Sequence, residues 1–384
     1  MAELADLIRP GTTVAFADGV GTPTALLADL SAAAARAGDV RLVLGWTLAG
    51  LDGLEVDAFA RVATTMAGFA LRKLVDRGEV DYLPVRLGAL PALVRDVVRP
   101  AVLVASLVPG PDGHRFGSEV GWLRAAVEAG ATVAAVERRS LPACDAGPPL
   151  PPEQVVVIAS SDAPPIDLPA GAVGEEHRAI GERVAALLPE GAVIQFGPGA
   201  IAEATCAALR RPVRVASGLL SDQVVDLDRR GLLIGEARAA YLAGSAVLYD
   251  WAGGRPLLHP CDVTHDPGCL GSLGGPFVAI NTALEIDLDG QVNAESARGS
   301  AIGGIGGHPD FCFAAARLPR GLSIVALSTT SRSGSATLVE RLDGPVTTPG
   351  HDVDVVVTEQ GMADLRGLSR RERRITIARL WARA

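Results

Sequence analysis

The segment that most clearly suggests a binding or catalytic role is a glycine loop at residues 303–307, which reads Gly-Gly-Ile-Gly-Gly. Four glycines in five positions disfavour helix and strand and leave backbone N–H groups exposed. Ordering such a loop costs conformational entropy on folding, which favours a binding site over a purely structural connection. The sequence therefore predicts that this loop contacts a ligand.

Two shorter glycine turns, Gly19–Gly21 and Gly197–Gly199, each follow an apolar run and precede an alanine-rich run. Glycines between a strand and a helix allow the backbone to approach an anion at the helix N-terminus. Thr24 and Ala202 stand where a dinucleotide fingerprint has its third glycine, which argues against a dinucleotide site. A tight turn of the kind found in any α/β fold is an alternative interpretation of either turn.

The elements that must position these glycines alternate along the chain, short β-rich runs with alanine- and leucine-rich runs. This alternation is typical of parallel strands joined by helices, and continuous apolar strands indicate sheets buried on both faces. We predict an α/β fold with mainly parallel open sheets and flanking helices. The predicted strands include Val40–Leu44, Ala101–Val108, Thr132–Val136 and Val155–Ile158, and the predicted helices include Thr24–Arg36, Trp122–Ala129 and Ala179–Leu188.

The alternation is interrupted by two stretches rich in proline and glycine, Cys144–Pro152 and Ala163–Gly171, and a helix resumes near Glu175. Such stretches favour loops or linkers over regular structure. We predict a domain boundary near residue 178, with an N-terminal domain at 1–178 and a C-terminal domain at 179–384.

An internal repeat supports two related halves. Pro10–Leu30 and Pro189–Leu209 both read as an apolar strand, a Gly-x-Gly turn and an alanine-rich helix. Each half would then present a ligand-facing turn at the carboxyl end of its strand.

Composition narrows the class of protein. The 384 residues are 48% hydrophobic and 21% charged, with a net charge of −9 and no basic cluster, which argues against a nucleic-acid partner. Apolar runs are too short for a membrane span, and Glu3 and Asp6 near the start are unlike a signal peptide, so a cytoplasmic location is expected. Cys261, His265 and Cys269 are evenly spaced but form an incomplete ligand set, so no metal is expected.

Four blocks of the C-terminal half, in this order and spacing, resemble acetyl-CoA hydrolases and the 4-hydroxybutyrate- or succinate-type CoA-transferases. They are Asn281–Asn293, Gly304–Gly307, Ser323–Thr330 and Val356–Gly367. The first of these blocks also predicts two strands around a hairpin turn at Asp289-Gly290. The N-terminal half fits more loosely, through Tyr82–Pro84, Pro111–Ser118 and Val136–Pro142. The resemblance implies two tandem class I CoA-transferase (NagB/RpiA-like) domains with the active site at their interface. It also implies acyl-CoA and small carboxylates as substrates, with CoA as a ligand rather than a permanent cofactor.

Enzymes of this family attack an acyl-CoA with a glutamate, form an acyl-glutamyl anhydride and then a glutamyl-CoA thioester, and pass CoA to a second carboxylate. The chemistry needs a carboxylate nucleophile and donors for the oxyanion. By resemblance, Gly307 supplies an oxyanion N–H and Glu359 shapes the carboxylate pocket. The positions that the resemblance places against CoA are Gly197, Gly199, Gly304, Gly306, Gly307 and Arg332.

Two positions depart from the family's pattern. The family's nucleophile lies in a block of the form Ser-Glu-apolar-apolar-x-Asp, which here runs from Ser217 to Asp222 and has Gly218 in place of the glutamate. Pro198 replaces the middle residue of the second glycine turn and has no N–H to offer an oxyanion. The family mechanism therefore fails at its first step in this chain.

Three functions remain compatible with the sequence. An active transferase or hydrolase would use another carboxylate, Asp222, Asp226 or Glu203, or water activated by Glu359. A non-catalytic acyl-CoA-binding relative could serve as a sensor or as the inert subunit of a hetero-oligomer, and a homodimer is the family's habit. A sugar phosphate bound at the glycine turns is the third possibility.

Overall fold

The computed structural model describes residues 3–168 and 170–382, so the outer ends of the two predicted domains, residues 1 and 384, lie outside it. The strands, in chain order, are β1 Thr13–Phe16, β2 Arg41–Leu44, β3 Arg61–Thr64, β4 Asp81–Tyr82, β5 Val102–Gly110, β6 Gly113–Arg115, β7 Thr132–Glu137, β8 Val155–Ser160, β9 Val193–Phe196, β10 Arg214–Val215, β11 Leu219–Leu220, β12 Tyr241–Leu242, β13 Phe277–Thr282, β14 Glu285–Asp287, β15 Val292–Asn293, β16 Ser296–Ala297, β17 Ser300–Ala301, β18 Leu322–Ala326, β19 Leu338–Val339, β20 Val355–Thr358 and β21 Gly361–Asp364. The α-helices are α1 Leu4–Leu7, α2 Leu27–Ala37, α3 Arg72–Asp76, α4 Leu90–Ala92, α5 Leu123–Glu128, α6 Glu175–Leu187, α7 Ala200–Ala208, α8 Asp222–Arg229, α9 Ala246–Ala252, α10 Cys261–Thr264, α11 Pro267–Gly271, α12 His308–Arg317 and α13 Arg370–Trp381.

The chain folds into two compact units, and both are discontinuous in sequence. Unit 1 comprises Met1–Leu168, Ala239–Val263 and Ala301–Gly304, and unit 2 comprises Pro169–Arg238, Thr264–Ser300 and Ile305–Ala384. The predicted boundary near residue 178 lies close to the point, after Leu168, where the chain first passes from unit 1 to unit 2. The prediction did not include the two later segments of unit 1, Ala239–Val263 and Ala301–Gly304. The two-domain division at 178 remains a prediction.

Unit 1 is built on a sheet in the order β4-β3-β2-β1-β5-β7-β8, with every neighbouring pair parallel, and β6 adds an antiparallel pairing to β5. Its central strands are almost entirely buried, which explains the continuous apolar runs of the sequence. Leu27 and Leu30 of α2 are fully buried and pack into the same apolar cluster as Phe16 of β1.

Unit 2 has a second sheet in the order β10-β9-β13-β18-β20-β21, parallel except for the antiparallel edge strand β21. A smaller sheet has the order β15-β14-β19, and its β14–β15 pair is the hairpin that the Asp289-Gly290 turn predicted. Gly290 has φ +80°, the left-handed conformation that such a turn requires.

The predicted fold class is confirmed, because both main sheets are parallel and the strands alternate with helices. The four strands predicted by name correspond to β2, β5, β7 and β8, and the helix predicted at Ala179–Leu188 corresponds to α6. Within the part of the chain that the structure describes, no helix is both long and apolar enough to cross a membrane.

Candidate acyl-CoA site

The parallel sheet of unit 2 brings several predicted site residues to one edge. The carboxyl ends of neighbouring parallel strands lie at the same edge of a sheet. Gly197 follows β9, Gly218 follows β10, and Glu359 follows β20. Residues that are far apart in the sequence are therefore presented on the same side of unit 2.

Gly218 and Gly307 contact the same imidazole ring. A Cβ atom built on Gly218 would lie 3.2 Å from Nε2 of His265, and one built on Gly307 would overlap that nitrogen and lie 2.6 Å from Cδ2. His265 is 2% exposed, and its Nδ1 lies 2.9 Å from Oγ1 of Thr264. The structure thus places both Gly218, at the predicted nucleophile position, and Gly307, the predicted oxyanion glycine, beside His265.

Phe311 holds this imidazole in place from helix α12. The His265 and Phe311 rings have centroids 4.5 Å apart, and Phe311 is itself buried. A Cβ atom built on Gly307 would come within 2.8 Å of Cε2 of Phe311. Because both rings are buried, neither can move aside cheaply, so Gly307 must be glycine for packing reasons as well as any chemical one.

No pattern in the sequence places His265 at this site. The only pattern to which it belongs is the incomplete Cys261, His265 and Cys269 set. Its proximity to Gly218 depends on long-range packing, and no local motif signals that packing. Across the described residues, no group of three or more His, Cys, Asp or Glu side chains has an arrangement that could hold a metal ion.

Glu359 is fixed by the turn that follows β18. Its carboxylate accepts hydrogen bonds from the backbone N–H of Thr329, at 3.0 and 3.1 Å, and from the Thr329 hydroxyl. These bonds hold the carboxylate in one orientation. Its predicted role in the carboxylate pocket stays a prediction.

The neighbour of Gly307 in the sequence, His308, starts helix α12 and is kept neutral. Burial lowers the pKa of His308 to about 4, and its Nδ1 lies 2.7 Å from Oγ1 of Thr348. A helix N-terminus carries partial positive charge, which disfavours a further cation there. At neutral pH the imidazole of His308 therefore adds no charge to the partial positive charge of the α12 N-terminus.

The remaining predicted CoA contacts are dispersed. Gly304 belongs to unit 1, where a Cβ atom would lie 3.0 Å from the carbonyl oxygen of Thr65. Gly306 adopts φ +61°, which glycine tolerates without strain. Arg332 is exposed in a turn closed by the Ser331 N–H, which donates to the Ser335 carbonyl oxygen at 2.8 Å. Their roles in binding CoA stay predictions.

The two glycine turns differ in what surrounds them. At the first, the backbone N–H of Gly21 donates to Oε2 of Glu119 at 3.2 Å, and Cβ atoms on Gly19 and Gly21 would meet that carboxylate. At the second, no atom of the described residues, apart from the glycine and its immediate chain neighbours, lies within 4 Å of a Cβ atom built on Gly197 or Gly199. The first turn therefore already holds a carboxyl group of the chain itself, whereas the second has room for a ligand.

The open space at the second turn leads to a prediction. Gly197→Ala should leave the free energy of unfolding within about 0.5 kcal/mol of the native value, since the methyl group meets nothing. It should weaken acetyl-CoA binding if the backbone of this turn approaches the ligand, and calorimetric titration measures that. Gly253→Ala, at the end of helix α9, is the matched control, and unchanged affinity in Gly197→Ala would remove this turn from the site.

Comparisons with known proteins relate the chain to acetyl-CoA hydrolases and CoA-transferases. Residues 244–381 match the acetyl-CoA hydrolase/transferase C-terminal domain. The chain is 28% identical over 324 residues to a 4-hydroxybutyrate coenzyme A transferase of Clostridium kluyveri, which covers 80% of this chain and 75% of that protein. It is also 28% identical over 389 residues to a succinyl-CoA:acetate/propanoyl-CoA:succinate CoA transferase of Fasciola hepatica, with 95% of this chain and 81% of that protein covered.

A solved structure agrees over nearly the whole chain. The crystal structure of RipA from Yersinia pestis superposes with a TM-score of 0.87 at 26% identity, and the match covers 97% of this chain and 91% of RipA. The similarity thus extends through both units and is not limited to the C-terminal blocks.

Proposed function

Since this chain belongs to the acetyl-CoA hydrolase/transferase family, we propose that it binds CoA thioesters of small carboxylic acids and hydrolyses them slowly, without a covalent intermediate. Transfer in this family depends on a glutamate nucleophile, and position 218 is glycine. A glycine cannot form an anhydride, so the two-step exchange of CoA between acids is lost. Direct attack of water on the thioester needs no such nucleophile.

The observation that carries this proposal is the shared environment of Gly218 and Gly307. Both glycines adjoin the buried ring of His265, so the position of the missing nucleophile and the predicted oxyanion donor belong to one small region. Hydrogen-bond donors that point at an oxyanion in a water-poor region stabilise the developing negative charge well. What is retained is the capacity to bind and polarise a thioester, and what is missing is the attacking carboxylate.

The proposed reaction uses Gly307 and Glu359. The carboxylate of Glu359 accepts a proton from water, and the water oxygen attacks the thioester carbonyl carbon. The negative charge on the carbonyl oxygen is stabilised by the backbone N–H of Gly307. Collapse of this intermediate breaks the carbon–sulfur bond and expels the CoA thiolate, which takes the proton, leaving a free carboxylic acid and CoA.

Hydrolysis by this route should be slow. Pro198 removes one backbone donor from the second glycine turn, and loss of an oxyanion donor costs about 3 kcal/mol of transition-state stabilisation. That corresponds to a rate reduction of about a hundredfold. A non-catalytic acyl-CoA-binding protein, either a sensor or the inert subunit of a hetero-oligomer, is the second candidate, and the dense packing of His265 against both glycines favours it.

Turnover of a panel of acyl-CoAs by the purified protein, with and without carboxylate acceptors, tests the proposal. We expect release of free CoA at a low rate that does not change when acetate or succinate is added. Glu359→Gln keeps the shape of the side chain and should abolish this release while leaving acetyl-CoA affinity intact. Acceptor-dependent exchange would overturn the proposal, and tight binding without release would establish the second candidate instead.

A further inference from the structure

Phe69 combines two unfavourable features in one residue of unit 1. Its φ is +55°, in the left-handed region that a bulky side chain rarely adopts. Its side chain is 52% exposed, although phenylalanine usually buries its ring. Strained residues persist where the surroundings fix them, and they cluster at ligand-binding sites.

The ring of Phe69 rests on a fixed aromatic support. It packs edge-to-face on Trp46, with ring centroids 5.9 Å apart and planes at 70°. Trp46 in turn packs edge-to-face on Tyr241 at 6.1 Å and 90°, and the buried Tyr241 hydroxyl donates to Oδ2 of Asp18 at 3.1 Å. Phe69 is therefore the exposed end of a rigid aromatic array.

The same segment of chain adjoins the start of the glycine loop. A Cβ atom on Gly68 would lie 2.7 Å from the carbonyl carbon of Ile302 and 2.9 Å from Cα of Gly303. Gly304 packs on this segment too, with its Cβ position 3.1 Å from Sδ of Met66. The backbones of these two segments are therefore packed directly against each other. Phe69 is held close to a predicted CoA-binding residue, Gly304.

We propose that Phe69 is a specificity-determining contact for the apolar acyl group of a bound CoA thioester. This inference rests on the proposed function. The ring lies against the indole of Trp46, and the residues that flank this segment, Met66 and Ala70, are apolar, which suits hydrocarbon rather than phosphate. Contact with an acyl chain would cover the exposed ring, and the strained backbone holds the ring where that contact can form.

Binding of free CoA and of acetyl-, butyryl- and hexanoyl-CoA, measured by calorimetric titration, tests the inference without requiring turnover. In the native protein, affinity should rise with acyl length, by up to about fourfold for each fully buried methylene. In Phe69→Gly that rise should largely disappear, while the affinity for free CoA is unchanged. Phe69→Leu, which keeps an apolar side chain, should retain part of the rise.

Thermal unfolding separates this role from a structural one. Glycine tolerates φ +55°, so Phe69→Gly should raise the melting temperature while it removes acyl-length selectivity. Arg99→Gly is the matched control, because Arg99 has φ +44° in the same unit; it should also stabilise the fold but leave acyl-length selectivity intact.

Two results would overturn the inference while leaving the proposed function standing. The first is an unchanged dependence on acyl length in Phe69→Gly. The second is an equal loss of affinity for free CoA and all its esters, which would place the ring against the CoA moiety or in support of the fold. Failure of the native protein to bind any CoA ester would overturn the proposed function, and this inference with it.

Discussion

Replacing Gly218 by glutamate is expected, on its own, to yield no CoA-transferase activity and to lower the free energy of unfolding by about 1–3 kcal/mol. The first side-chain carbon would sit 3.2 Å from Nε2 of His265 and 3.5 Å from Cε2 of Phe311, both in buried rings. A carboxylate forced into this space cannot reach a thioester in a reactive geometry. Exchange of label between acyl-CoA and a carboxylate, together with chemical unfolding, measures both effects.

Removing the ring that fills the space should change the outcome. We expect the double variant Gly218→Glu/His265→Ala to recover stability relative to the single glutamate variant and to show acceptor-dependent exchange. Gly218→Gln/His265→Ala has the same shape without a nucleophile and is the matched control. Full exchange by the single glutamate variant would show that His265 does not obstruct position 218, and no exchange by the double variant would implicate the missing donor at Pro198.

Two buried carboxyl groups in unit 1 are expected to make stability fall as the pH rises from about 4 to about 8. His308 acts in the opposite direction between about pH 4 and pH 6.5, because burial lowers its pKa to about 4, so the net fall is smaller than the contribution of the carboxyl groups. Burial raises the pKa of Asp18 to about 6 and that of Glu119 to about 7. Hydrogen bonds from Trp122 and Tyr241 to Asp18, and from Ser118 to Glu119, oppose these increases only in part. The folded state therefore binds protons that the unfolded chain releases at lower pH.

The direction of this change in stability follows from the coupling between proton binding and folding. The stabilising contribution of these groups is complete below their unfolded pKa values, near 4, and is lost as the pH rises through 6 to 7. Two units of pKa correspond to about 3 kcal/mol for either group taken singly. The raised pKa of Glu119 includes repulsion from Asp18, so the two contributions are not additive.

Denaturant unfolding at pH 5 and at pH 8 tests this expectation. Glu119→Gln should remove much of the difference between the two pH values, and Asp18→Asn should reduce it as well. Asp57→Asn, at an exposed position in the same unit, should leave the difference unchanged. A native protein that is more stable at pH 8 than at pH 5 would contradict the assignment.

The sequence predicted the fold class well, because alternation of apolar strands and alanine-rich helices is a local signal that parallel sheets impose. It predicted the hairpin at Asp289-Gly290 as well, because glycine in the left-handed conformation is a local signal for a short hairpin loop, here the three residues Leu288, Asp289 and Gly290. The return of Ala239–Val263 to unit 1 could not be predicted. The sequence of that segment is an ordinary mixture of short strand and helix. Only its long-range packing shows that it belongs to unit 1.

The site residues stay predictions, although the structure bears on how they are arranged. The resemblance placed Gly218 and Gly307 in one site, and their shared contact with His265 is consistent with that placement. The occupant of the vacated space could not be read from the sequence, because a lone histidine between two short helices carries no motif. Glu119 was missed as well. Nothing in its neighbourhood distinguishes a carboxylate that fills a glycine turn from a solvated one.

The interrupted course of the chain through unit 1 has a consequence for how the protein is made. Tyr241, which donates to Asp18, and the segment Ala301–Gly304 are synthesised well after the eight strands of the first sheet. At ordinary rates of translation, the interval between Leu168 and Gly304 is roughly 7 to 27 s. During that interval the first sheet is complete in sequence, but two later segments of its own unit have not all been made. A nascent chain that ends before Tyr241 therefore has no tyrosine hydroxyl at that position to donate to the buried carboxyl group of Asp18.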